Sequence, residues 1–147
     1  MLSDKKLWCL QNKIESFKLD ISSEQDAQKI AGIVDLFKAD AIVNFAAESH
    51  VDNSIKSPMP FFETNISGTA KLLELARRFN LRFHQIGTDE VYGPSSPEDG
   101  ISESSLLLPS SPYSSSKASA DLIALSYAKT FGTNVTVSRC TNNIGPW

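Results

Sequence analysis

Cysteine is nearly absent: Cys9 and Cys140 stand near opposite ends of the 147 residues, in no Cys-x-x-Cys. That pattern leaves no basis for a disulfide scaffold or a thiolate metal site. His50 and His84 fit no metal-ligand spacing either. No apolar run nears the roughly 20 residues that span a bilayer, and the longest, residues 40–47, is interrupted by Asn44. The opening Met1-Leu2-Ser3-Asp4-Lys5-Lys6 lacks the ordered basic, apolar and small-residue regions of a secretory signal. The sequons at Asn65 and Asn134 are therefore read as chance. Charge of one sign is lacking too: 14 basic against 17 acidic side chains leaves a net −3, no electrostatic footprint for nucleic acid. The seven glycines form neither G-x-G-x-x-G nor G-x-x-G-x-x-G, so the turn that seats a pyrophosphate on a helix N-terminus is missing. No internal repeat is visible. These absences point to one soluble, reduced, cytoplasmic domain without metal, membrane or nucleic-acid partner.

What is present alternates short apolar runs with longer helical stretches, the mark of a parallel sheet with crossover helices. Residues 15–19 alternate weakly and read as a strand ending at Asp20. A helix is predicted over 23–37, capped by Ser22 or Ser23, with Ile30, Val34 and Phe37 on one face. Residues 41–45 suit a strand buried on both faces. Pro58 and Pro60 precede a long helix through about Phe79, in which Phe62, Ile66, Leu73 and Ala76 recur near the helical period and Phe61 adds core. Strands at 82–86 and 134–138 bracket a Ser/Pro-rich loop, 94–112, and a helix from Pro112 to Phe131 that stops at Gly132.

Three polar clusters each follow a predicted strand: Ala46-Ala47-Glu48-Ser49-His50, Thr88-Asp89-Glu90 and Asn142-Asn143. In a doubly wound sheet all three fall on the carboxyl edge, where such folds bind ligands. Tyr113 and Lys117 lie four apart at a predicted helix start, hence on one face. A cation beside a phenol favours the phenolate, which is how a Tyr becomes a general base near neutral pH. Alone, that spacing is as well explained by an exposed helix start with a solvated Lys.

With the clusters in order, the sequence resembles the extended short-chain dehydrogenase/reductase family, and within it the nucleotide-sugar 4,6-dehydratases acting on dTDP-glucose. The matching stretches are residues 44–52 (Asn-Phe-Ala-Ala-Glu-Ser-His-Val-Asp), Glu63-Thr64-Asn65, Gly87 to Gly93, Ser110 to Ser119, and Asn142 to Pro146. The resemblance runs from about Phe17 to the last residue. It implies a Rossmann-like NAD-binding domain over 1–147, with 1–14 unassigned and 94–112 an active-site loop, and a homodimer at full length.

The resemblance also implies roles. Tyr113 takes the sugar C4 hydroxyl proton, Lys117 holds the phenolate and the nicotinamide ribose, and Thr88 bonds the C4 oxygen. Glu90 removes the C5 proton and Asp89 protonates the departing C6 hydroxyl. Asp20 and Ile21 flank the adenine. Phe45, Ala46, Ala47 and Ser49 line the diphosphate and ribose, with Thr64 and Asn143 adding cofactor contacts. Ser49, Thr88 and Asn142 face the substrate. The sequence departs from the family pattern at Gly87, Thr141 and Asn53.

The missing glycine turn implies a partial doubly wound sheet, lacking its first two strands and the C-terminal substrate domain. In the family's order, 3-2-1-4-5-6, the strands at 15–19 and 41–45 are then separated by a two-strand gap. Strand 41–45 is left with an exposed apolar edge. A truncated reading frame, poorly soluble and inactive alone, is expected. Two alternatives stay open: a sibling epimerase or a UDP- or GDP-sugar dehydratase, and a non-catalytic interaction module.

Overall fold

A computed structural model describes residues 14–94, 100–142 and 145. Its centre is a three-stranded sheet, β1 (Ala41–Asn44), β2 (Arg82–Thr88) and β3 (Val135–Cys140), in that spatial order. Both pairings are parallel, with Ala41 opposite Arg82 and Phe83 opposite Val135. Parallel neighbours need crossovers, and helices supply them.

The first helix, α1 (Glu24–Phe37), starts at Ser23, whose hydroxyl accepts the Asp26 amide, and ends at Lys38 in the left-handed region. Next come the short α2 (Val51–Lys56) and α3 (Met59–Phe61). From there the chain continues through a π-helical stretch, Phe62–Gly68, into α4 (Thr69–Phe79). The sequence predicts one unbroken helix here; the wider turn admits Ile21 against Gly68, where a Cβ would lie 2.7 Å from the Ile21 side chain. The last helix, α5 (Pro112–Phe131), has the expected bounds. Ser111 and Ser114 form a reciprocal capping box, Pro112 opens the first turn, and Gly132 closes it at φ 69°.

One sheet face is covered. Val34, Leu72, Leu73, Leu75, Ala76, Leu81, Phe83 and Ala124 bury together between sheet and helices. A smaller cluster, Val91, Tyr92 and Ala118, fixes the segment after β2 to α5.

The predicted strand at 15–19 does not form. A strand needs a ladder partner for its amides and carbonyls, and none of the described residues offers one there. Phe17 instead meets Phe37 edge-on, with centroids 6.2 Å apart. The expected exposed edge does exist: among the described residues β1 pairs only with β2, Val43 is 52% exposed and Phe45, just past the strand, 74%. No described helix is long and apolar enough to cross a membrane.

Candidate active site

Because the strands are parallel, the loops leaving β1, β2 and β3 emerge on one edge. The first is shaped from beneath by buried amides. The Asn44 side-chain nitrogen donates to Gln85 Oε1 (2.9 Å) and Thr69 Oγ1 (3.2 Å), while its oxygen accepts the Ala46 amide (3.2 Å). The chain therefore turns out of the sheet at Ala46. Phe45, Ala46 and Ser49 are exposed and Ala47 half-buried, so the backbone there is open to a ligand.

Asn65, in the π-helical stretch and 2% exposed, holds the same loop. It accepts the Glu48 amide (2.9 Å) and donates to the Glu48 carbonyl (3.0 Å) and to Ser116 Oγ (2.8 Å). The Ser116 hydroxyl donates in turn to the Tyr113 carbonyl (2.7 Å). The Tyr113 amide, an orphan donor in the first turn of a helix, finds Ser54 Oγ at 3.1 Å. Both main-chain groups of Tyr113 are thus fixed by buried side chains, and its ring stands edge-on to Phe61, centroids 6.3 Å apart.

After β2, Thr88 caps a 3₁₀ turn, Asp89–Tyr92, accepting the Glu90 amide at 3.3 Å and donating to Asp89 Oδ1 at 3.3 Å. Glu90 is exposed and Asp89 half-buried. Thr88, Glu90 and Asp89 all act on the Tyr113 phenol, so they share its side of the molecule. Their sum differs from the expected acidification. Burial, then the two carboxylates, push the phenol above its ordinary value, and only the Thr88 hydroxyl pulls the other way. The Lys117 ammonium, expected to hold the phenolate, donates instead to the Ile86 carbonyl at 2.6 Å. Burial drives the amine below its usual range, opposed by the Asp121 carboxylate.

Tyr113, Thr88, Asp89 and Glu90 therefore converge at the carboxyl end of β2, with Lys117 beneath and the 45–49 loop alongside. The other expected site residues have local surroundings of their own. The Asp20 carboxylate is taken up by its own turn, accepting the Ser22 amide (2.8 Å) and hydroxyl (2.7 Å). Ile21 packs on Gly68. Thr64 is half-buried in the π-helical stretch and Asn142 exposed beyond β3. Asn143 lies outside the described residues. Sequence reasoning missed the supports Ser54, Asn65, Ser116, Asp121 and Arg139. For those on helices the legible signal was polar residues on faces that also carry apolar ones; Arg139, on β3, carried none.

The described residues hold no cluster of three or more His, Cys, Asp or Glu side chains able to bind a metal. The model of the GDP-mannose 4,6 dehydratase family matches residues 2–147. The dTDP-glucose 4,6-dehydratase of Mycobacterium tuberculosis is 45% identical over 124 residues, 83% of this chain and 37% of the relative. That of Streptomyces niveus is 54% identical over 109 residues, 74% of this chain and 32% of the relative. The crystal structure of the Bacillus anthracis dTDP-glucose 4,6-dehydratase, in complex with NAD, superposes with a TM-score of 0.77 at 42% identity, covering 88% of this chain and 38% of that one. The chain thus spans less than two-fifths of the length of each of these relatives.

Proposed function

Since the chain belongs to the GDP-mannose 4,6 dehydratase family, we propose that its residues carry the chemistry of a nucleotide-sugar 4,6-dehydratase, with dTDP-glucose as substrate and NAD as cofactor. The observation that carries this reading is the convergence of Tyr113, Thr88 and the Asp89–Glu90 pair on one edge above a buried Lys117. A lone phenol and ammonium would serve an alcohol oxidation; two carboxyl groups beside them suit the removal of water.

The donor set fits the nicotinamide end of the cofactor. Tyr113 and Lys117 would hold its ribose, and the small Ala46 and Ala47 leave backbone accessible to it. The glycine turn for a pyrophosphate does not occur in the sequence. NAD, when bound, takes up a hydride from the sugar and returns it. Tyr113 accepts the C4 hydroxyl proton, with Thr88 holding that oxygen. The resulting ketone acidifies C5, Glu90 removes the C5 proton, and Asp89 protonates the C6 hydroxyl as it leaves as water. Acid and base roles require the two neighbouring carboxyl groups to differ in pKa, and repulsion between adjacent like charges drives such a split. Because the phenol is pushed up here, proton acceptance requires the Lys117 charge to act on it.

A chimera tests the reading: residues 41–142 replacing the matching stretch of a dTDP-glucose 4,6-dehydratase. The expected product from dTDP-glucose is the 4-keto-6-deoxy sugar. Tyr113→Phe abolishes C4 oxidation, and Glu90→Gln keeps oxidation but blocks exchange of the C5 proton with solvent. A C4 epimer as product overturns the dehydratase reading.

A further inference from the structure

We propose that the buried Asp121–Arg139 pair is a positioning device, with the Asp121 carboxylate as the counter-charge that keeps Lys117 an ammonium beneath Tyr113. This rests on the role given to Lys117 above, and nothing in the family comparison assigns it.

Lys117 and Asp121 meet adjacent residues of β2. Lys117 Nζ donates to the carbonyl of Ile86. The Asp121 carboxyl lies against Gly87, where an added Cβ would stand 3.1 and 3.2 Å from its two oxygens and 2.6 Å from the Ser138 carbonyl oxygen. A side chain there would collide with the Ser138 carbonyl oxygen and press on the carboxylate. The four-residue spacing puts Lys117 and Asp121 on one face of α5, and both are enclosed, at 5% and 0% exposure.

The pair is built asymmetrically. Asp121 Oδ2 accepts Arg139 Nε at 2.8 Å, while Oδ1 is buried without a hydrogen-bond partner among the described residues. A carboxylate kept only for architecture gains from satisfying both oxygens, since a bare buried one is costly. Here the bare oxygen belongs to the group that acts on Lys117. Arg139 is itself held, donating to the Tyr92 hydroxyl (2.7 Å) and to the Glu103 carbonyl (3.2 Å). Its position is thus tied to the turn that bears Asp89 and Glu90.

The groups packed around Asp121 and Lys117 are few. β3 brings Arg139 to Asp121, Arg139 in turn joins Tyr92 of the 3₁₀ turn, and the Asp89 and Glu90 carboxylates act on Tyr113 instead. β2 offers only main chain. Among the described residues, Asp121 is the charge that acts to keep Lys117 protonated. Coupling between two sites is reciprocal, so each group must report the other.

The test is carbon-detected NMR titration of the full chain, following the Lys117 side-chain carbon next to Nζ and the Asp121 carboxyl carbon. Asp121→Asn keeps shape and an acceptor for Arg139 but removes the charge, and it is expected to lower the Lys117 midpoint by a pH unit or more, a tenfold loss of proton affinity. Lys117→Met is expected to raise the Asp121 midpoint by a similar factor, which keeps the proposal testable should Asp121→Asn not fold. In the unaltered chain the Asp121 carboxyl signal should also move at the pH where Lys117 titrates. An unmoved Lys117 midpoint in Asp121→Asn, or an Asp121 signal indifferent to Lys117, overturns the proposal. A merely structural carboxylate would alter stability without shifting either midpoint. Neither nucleotide nor turnover is needed, so this result is independent of the chimera's.

Discussion

The two flanks of the sheet are built from similarly apolar sequence and behave oppositely. On the β2–β3 flank, ladder pairing, α4 and α5 bury Leu73, Phe83 and Ala124 almost completely. On the β1 flank, Val43, Phe45, Phe17, Leu36 and Phe37 are all at least half exposed. Hydrophobicity does not separate them. What does, for Val43 and Phe45, is that no described strand pairs beyond β1, whereas β2 has a neighbour on each side. The candidate site hangs from the paired flank, and only its 45–49 loop reaches toward the open one.

Truncating the paired flank should break this contrast most. Phe83→Ala removes a ring 1% exposed at the centre of the core. It is expected to cost about 3–5 kcal/mol, read from the urea midpoint by circular dichroism. That is a large part of the stability a domain of this size holds. The same truncation at Phe37, half exposed on the open flank, should cost far less. Equal losses would mean that the two flanks do not differ as described.

Asn65→Ala sharpens the comparison at the seam. It strips partners from the Glu48 amide and carbonyl and from Ser116 Oγ. Buried groups left unsatisfied cost about 1–3 kcal/mol. Proteolysis should then cut the 46–50 loop faster than in the unaltered chain, while the β2–β3 amides keep their hydrogen-exchange protection. Loss of protection throughout would place Asn65 in the common core rather than at the seam.

Which parts were legible follows the same division. The bounds of α5 were readable because Ser111, Pro112 and Gly132 are local signals that act through their own backbone. β2 and β3 each run two residues beyond their expected C-terminal ends, since Gly87 and Thr88 find ladder partners in Arg139 and Cys140, which no local pattern announces. The strand expected at 15–19 failed for the converse reason: alternation was there and a neighbour was not. α2 escaped notice because six residues carry too little periodicity to separate from loop. At the site, spacing put Tyr113 and Lys117 on one face. The proton affinity of the phenol depends on burial and on carboxylates from another element, and spacing encodes neither.

The smallest stability change belongs to the open flank and discriminates most. Val43→Lys places a charge on the face and edge that β1 leaves uncovered. A half-exposed side chain outside the core should alter stability by no more than about 0.5 kcal/mol. Charged residues on edge strands block pairing with a second chain, so light scattering should show less self-association at equal concentration. If scattering is unchanged while stability holds, the edge is already protected by its own twist or by neighbouring chain. If stability falls by as much as in Phe83→Ala, Val43 is core and the two flanks are alike. The contrast survives only if a charge at this position is nearly neutral for folding and plainly favourable for solubility.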